Sequence, residues 1–266
     1  MSSRYASYTG LAVTLDGNVL TVTLNNPPLN AMTSDAHREL GQIWADAATD
    51  TDVRVVVITG AGDRAFCAGG DLNRMVDGWP DHGRWQIGMA EARAIVVGML
   101  ECPKPVISRI NGHAMGLGAT IALAGDITII VDDAKIGDSH VNVGLATGDG
   151  GALLWPNLVG LVEARRHLLS GKPLSGADAK AKGLVTDAVS RDELDNAVQA
   201  WVDMFLAQSP KAVQTTKQAL NLDIVDKAKR YMDEMLRLET ISWASPNHPE
   251  AVHAILEKRP PQFTNE

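Results

Sequence analysis

The sequence predicts an α/β protein with an all-helical C-terminal lobe, and three observations carry that reading. VRVVVITG (53–60), PVISRI (105–110) and DITIIV (126–131) are short apolar runs of the kind buried on both faces of a parallel sheet. Helical patterns stand between them, so strand and helix alternate as in a layered core. Beyond about residue 190 the strand signal stops and only helical periodicity continues. The expected division is residues 1–190 as core and 191–266 as helical lobe.

Taken in order, LAVTLDGNVLTVTLNNP alternates apolar and polar residues around Asp16-Gly17, which predicts a β-hairpin. Thr33 is placed to cap a helix through DAHRELGQIWADAA, with Leu40, Ile43, Trp44 and Ala47 on one face. VRVVVITG follows as a buried strand. NRMVDGWPDHGRW reads as a polar, tryptophan-containing connection, and EARAIVVGMLEC as an apolar helix ended by Pro103 and Pro105. PVISRI is the next strand, HAMGLGATIALAG a short helix, and DITIIV a third buried strand. In the lobe, Ser190 and Glu193 suggest a capping box for ELDNAVQAWVDMFLAQ. Ser209-Pro210 starts another helix, and a long helical pattern runs from about Asp223 to Ala244.

A chain of 266 residues with 45% hydrophobic and 21% charged residues has ordinary globular composition. Its net charge of −8 argues against nucleic acid or an anionic membrane as the main partner. No long apolar run predicts a membrane span or a signal peptide. The two cysteines, Cys67 and Cys102, suggest neither a disulfide framework nor a metal site. A cytoplasmic location with reduced thiols is the expectation.

Gly60-x-Gly62-x-x-Ala65 follows a strand, as in a dinucleotide fingerprint. The fingerprint also needs a helix opening inside the glycine turn and an acidic residue closing the next strand; here the motif runs into FCAGGDL and the following segment is polar. RAFCAGGDL is more informative: Ala68-Gly69-Gly70 lets backbone N–H groups approach a ligand, with Asp71 placed to cap the next helix. Alone it is equally a plain turn. A second element, NGHAMGLGAT, brings a helix N-terminus close, with the Leu117 N–H at the positive end of its dipole. Two backbone donors aimed at one oxygen make an oxyanion hole.

With these two motifs the sequence resembles the crotonase superfamily, the enoyl-CoA hydratase/isomerase family. The resemblance extends over LNNPPLNAM, RAFCAGGDL, PVISRINGHAMGLGAT, ALAGDITIIVDDAKIG, HLLSGKPLSGADAKAKGLV and ILEKRPPQF. It implies a crotonase-type spiral of ββα units with a C-terminal helical trimerisation lobe, assembled as a homotrimer or a dimer of trimers. It also implies that a thioester carbonyl binds at the backbone N–H groups of Gly70 and Leu117, where an enolate forms. No cofactor and no metal are implied beyond coenzyme A as part of the substrate. Arg64, the backbone at Ala68, Lys258 and Arg259 match positions that contact CoA, the last two often across a subunit boundary. Pro28 and Asn73 stand where relatives often carry lysine.

The sequence departs from the family's hydratases at both catalytic glutamates, which are replaced by Thr120 and His140. The segment GDSHVNVGLATGDGG instead offers His140 with Asp149 nine positions on. An imidazole of near-neutral pKa can take a proton from water, and a carboxylate can fix its tautomer. A His/Asp pair on this loop is similar to that of the family's β-diketone hydrolases, and Glu239 corresponds to a further acidic residue there. The plain alternatives are a satisfied polar histidine, a turn aspartate and a helix-surface glutamate.

Other residues carry less. His113 reads as packing, and His82 and Trp85 as residues of the variable segment over the acyl pocket. Cys67 reads as a small hydrophobe, Asp126 as structural and Ser139 as a bystander. The expected function is enolate stabilisation on an acyl-CoA, with His140 and Asp149 activating water for hydration or C–C cleavage. The alternatives are β-diketone hydrolysis without CoA, and a catalytically silent acyl-CoA-binding oligomer.

Overall fold

The computed structural model describes residues 3–77 and 79–265. Strands β1 (Leu11–Asp16) and β2 (Val19–Leu24) form the expected hairpin, paired antiparallel from Leu11↔Leu24 to Asp16↔Val19. Helix α1 (Ser34–Thr49) starts at Thr33, whose hydroxyl accepts the Ala36 N–H at 3.1 Å. Its buried face holds Leu40, Ile43, Trp44 and Ala47, the residues its periodicity selected. Strand β3 (Val55–Gly60) is buried at every position and runs parallel to β2.

Three turns of chain then repeat one plan. Strand β4 (Ala65–Cys67) precedes helices α2 (Leu72–Val76) and α3 (His82–Glu101). Strands β5 (Val106–Ile110) and β6 (His113–Met115) precede α4 (Leu117–Leu123). Strands β7 (Ile127–Val131) and β8 (Lys135–Gly137) precede a 3-10 turn, His140–Val143, and α5 (Gly151–Leu168). The first strand of each pair joins a six-stranded sheet ordered β1-β2-β3-β5-β7-β10, and the second joins a sheet ordered β4-β6-β8-β9. This is the spiral of ββα units that the resemblance implies. Strand β9 (Leu174–Ser175), helix α6 (Gly176–Ala181) and strand β10 (Asp187–Val189) close the sheets. Helices α7 (Leu194–Ala207), α8 (Pro210–Ala244) and α9 (Asn247–Leu256) follow.

Four differences from the sequence reading have physical causes. The small sheet was not foreseen, because strands of two or three residues are too short to show a period. HAMGLGATIALAG is therefore a strand followed by a helix. The polar stretch after Asn73 is largely helical: Asp81 caps α3 by accepting the Arg84 N–H at 3.0 Å, ten residues before the apolar pattern begins at Glu91. The Ser190–Glu193 capping box does not form. Ser190 Oγ donates to the Glu193 carboxylate at 2.9 Å, and a 3-10 turn fills Arg191–Glu193. The last long helix is continuous from Pro210, with Ser209 as its cap.

The lobe is tied to the core by a buried ion pair. Lys217 Nζ on α8 lies 2.7 Å from Asp126 Oδ2 and also donates to the carbonyls of Lys104 and Met99. Asp126 in turn accepts the Val106 N–H at 2.7 Å, which confirms its structural role. No described helix is long and apolar enough to cross a membrane.

Candidate active site

The two glycine turns sit against each other. In the first, Gly69 adopts φ +83°, and a Cβ there would fall 2.8 Å from the Met115 carbonyl and 3.5 Å from Leu117 N. In the second, a Cβ on Gly118 would fall 2.2 Å from the Cys67 carbonyl. Only glycine allows this approach, and it brings the Gly70 turn to the start of α4. Asp71 caps α2 by accepting the Asn73 and Arg74 N–H groups. The Ala68 N–H is spent on the Leu29 carbonyl at 3.0 Å. Among the described residues, no turn or loop acceptor takes the N–H of Gly70 or of Leu117. Both residues line one cavity of about 710 Å³, together with His140, Asp149 and Glu239. The pocket thus gathers all five expected catalytic positions.

His140 is buried between two carboxylates. Its Nδ1 lies 2.6 Å from Asp138 Oδ1, and its Nε2 lies 3.1 Å from Asp149 Oδ2. Asp138 also accepts the His140 backbone N–H and the Thr147 hydroxyl. Thr120 donates its hydroxyl to Asp149 Oδ1 at 3.4 Å. A Cβ on Gly116 would sit 3.7 Å from His140 Cε1, so the ring lies beside the second oxyanion turn.

This geometry changes the reading of the ring. Burial alone would lower the His140 pKa, but Asp149 and Asp138 outweigh it and hold the ring well above its usual range. The charged form of the ring is favoured, and Asp138, which sequence reasoning missed, holds its Nδ1 side. Burial pushes the Asp138 carboxyl up, yet the His140 charge and the hydrogen bonds win and lower it. The signal was present in Gly137-Asp138-Ser139-His140, but nothing in that order says a 3-10 turn folds the carboxylate onto Nδ1. Asp138, His140 and Asp149 also have the composition of a metal site. The two ring nitrogens face opposite carboxylates, however, so one ion cannot replace both hydrogen bonds.

Glu239, on α8, is buried behind the glycine turn. A Cβ on Gly148 would fall 2.9 Å from Glu239 Cβ, so the turn packs directly on the helix. Burial first, and the Asp149 charge second, push the Glu239 carboxyl up to about 8. Its Oε2 has no partner. Glu239 is thus a buried carboxyl beside the His140 cluster, its protonated form favoured, and the helix-surface alternative is excluded.

The expected CoA contacts lie elsewhere. Arg64, Ala68, Lys258 and Arg259 are absent from the cavity lining. Arg64 and Lys258 are exposed, and Arg259 is engaged by Glu250 at 2.6 and 2.8 Å and by Glu257 at 2.6 Å. Within one chain, Arg259 is therefore already neutralised. The cations that do line the cavity are Arg38, Arg74 and Arg84, which the sequence reading passed over. His113 is exposed, with Nδ1 accepting the Lys135 N–H at 3.0 Å, and so does not pack in the core. The Cys67 thiol is pushed up to about 12 by burial, which leaves it inert. Trp85 lines the pocket, as the sequence placed it, stacked on Trp243, whereas His82 is exposed and touches Trp243 edge-on without lining the cavity.

The comparisons agree with this architecture. The Enoyl-CoA hydratase/isomerase family profile matches residues 14–266. The chain is 34% identical over 255 residues to a 1,2-epoxyphenylacetyl-CoA isomerase of Escherichia coli, covering 94% of this chain and 96% of that protein. It is 31% identical over 249 residues to a short-chain-enoyl-CoA hydratase of Clostridium acetobutylicum, covering 92% and 93%. A crystal structure of an enoyl-CoA hydratase/isomerase from Mycobacterium paratuberculosis superposes with a TM-score of 0.89 at 33% identity, covering 94% and 99%. The chain belongs to the enoyl-CoA hydratase/isomerase family, the crotonase superfamily.

Proposed function

We propose that this enzyme acts on an acyl-CoA thioester, adding water to an enoyl group or removing it. The observation that carries the reading is the placing of two carboxyl groups, Asp149 and Glu239, in one cavity with the two unspent backbone donors. Two carboxyl groups in different surroundings can divide acid and base roles between them. In this reading the thioester oxygen lies against the Gly70 and Leu117 N–H groups. Asp149, paired with the His140 ring, takes a proton from water as the hydroxyl adds to the β-carbon. Electrons move onto the thioester oxygen as an enolate. Glu239 then gives its proton to the α-carbon, and the proton on Asp149 returns to Glu239. Two carboxyls thereby replace the missing glutamates from new positions.

The names of relatives support a CoA substrate, since they act on CoA thioesters. Arg74 and Arg84 supply positive charge at the cavity, and the exposed Lys258 is assigned to CoA reached from a neighbouring subunit. Exposed Leu158, Leu161, Val162, Leu220 and Leu222 support assembly as a homotrimer or dimer of trimers. The test is turnover of crotonyl-CoA and of a cyclic 1,3-diketone by wild type, His140→Ala and Asp149→Asn. Hydration of crotonyl-CoA, reduced roughly 10²-fold or more in both variants, is expected. Turnover of the diketone alone, or full activity in either variant, overturns the reading.

A further inference from the structure

The cavity has a second lining besides its acid–base groups, and that lining is aromatic. Trp79, Trp85 and Trp243 all border it. Trp85 stacks on Trp243 with ring centroids 4.8 Å apart and planes 10° from parallel. Trp79 meets Trp243 edge-on at 6.4 Å and 72°. The polar ends of the two outer rings are tied down: Trp85 Nε1 donates to Thr240 Oγ1 at 2.9 Å, and Trp79 Nε1 to the Trp243 carbonyl at 3.0 Å. Neither indole can pivot without losing a hydrogen bond, and neither has an N–H left for a ligand. What they offer is fixed ring surface.

These rings are separate from the main core. With Val143, Leu145, Val252 and Met75 they form a satellite apolar cluster. Trp243 is buried, whereas Trp79 and Trp85 are half-buried, so part of each ring remains open. A preformed, immobile aromatic wall loses no rotamer freedom when a ligand arrives, and it favours a flat π-face over a saturated chain of equal bulk.

We propose that the acyl group taken by this site carries an aromatic ring, seated against Trp79 and Trp85 with Trp243 as their backing. The proposal rests on the acyl-CoA reading above and names the class of acyl group. Isothermal titration with free CoA, phenylacetyl-CoA and cyclohexylacetyl-CoA tests it, because the last two differ mainly in aromaticity. Phenylacetyl-CoA is expected to bind roughly 3- to 10-fold more tightly than cyclohexylacetyl-CoA. Trp85→Leu and Trp79→Leu should each shrink that ratio, while Trp85→Phe, which keeps a ring, should retain most of it. Thermal unfolding of each variant reports whether it is folded. Equal affinity for the two thioesters in the wild type overturns the proposal and leaves the acyl-CoA reading intact, as does a ratio that survives both leucine variants. Failure of free CoA and both thioesters to bind overturns the acyl-CoA reading and the proposal with it.

Discussion

His140 carries a carboxylate on each ring nitrogen, and this makes Asp138 a positioning residue for a group that never needs to touch substrate itself. Removing it should show in the ring. In Asp138→Asn the His140 pKa should fall toward its usual range, read from the imidazole signals in an NMR titration, and kcat should drop roughly 10-fold or more. An unshifted titration would contradict the assignment. Glu239 supplies a second test. The folded protein keeps its proton up to about pH 8, whereas the unfolded chain releases it near 4.5. Between those values the unfolded state binds fewer protons, so this group's contribution to stability is full below 4.5 and is lost as pH rises to 8. Glu239→Gln should therefore gain in Tm relative to wild type as pH rises from 5 to 8.5. Its kcat should be low and should lack the alkaline fall near pH 8 shown by the wild type. That His140 and Asp149 share one cavity was suggested by their common glycine-rich segment, whereas Glu239 was reached only through the family resemblance. Asp138 was not, because a contact between neighbours in sequence depends on the local turn.

At the level of elements, the site depends on how closely β4 and α4 approach. Gly118→Ala would drive a methyl group to 2.2 Å from the Cys67 carbonyl, a backbone atom that cannot step aside. We expect a stability loss of about 1–3 kcal/mol, together with a fall in kcat larger than the change in KM as the Leu117 N–H moves off the shared oxygen. Chemical denaturation and steady-state kinetics check the two effects, and an unperturbed kcat would separate α4 from the oxyanion function. The long strands and α1 were legible from periodicity and a cap. The helical start of α3 was not, because Asp81 and the contact of Trp85 with Trp243 decide it, and the latter joins residues far apart in the chain.

Across the whole molecule, α8 does two jobs: it delivers Glu239 to the cavity and it anchors the helical lobe through Lys217. The anchor is buried, so losing one partner leaves a charge without compensation. Lys217→Met should cost roughly 3–5 kcal/mol, measured by denaturant unfolding, and adding Asp126→Asn should recover part of the loss. A change within about 0.5 kcal/mol would mean that the lobe is held by apolar packing alone. The helical character of the lobe was plain in its sequence pattern. Its docking was not, since nothing local links Lys217 to Asp126, and the same holds for the lining arginines, whose charge shows in sequence but whose convergence does not.

The central claim is that a thioester oxygen is held jointly by Gly70 and Leu117 within reach of Asp149. A crystal structure with acetoacetyl-CoA bound tests it most directly. The account predicts the thioester oxygen at roughly 2.7–3.1 Å from both backbone nitrogens, with the acyl chain passing between Asp149 and Glu239. A thioester oxygen bound away from either nitrogen, or an acyl chain that leaves Asp149 and Glu239 on the same side, would contradict it.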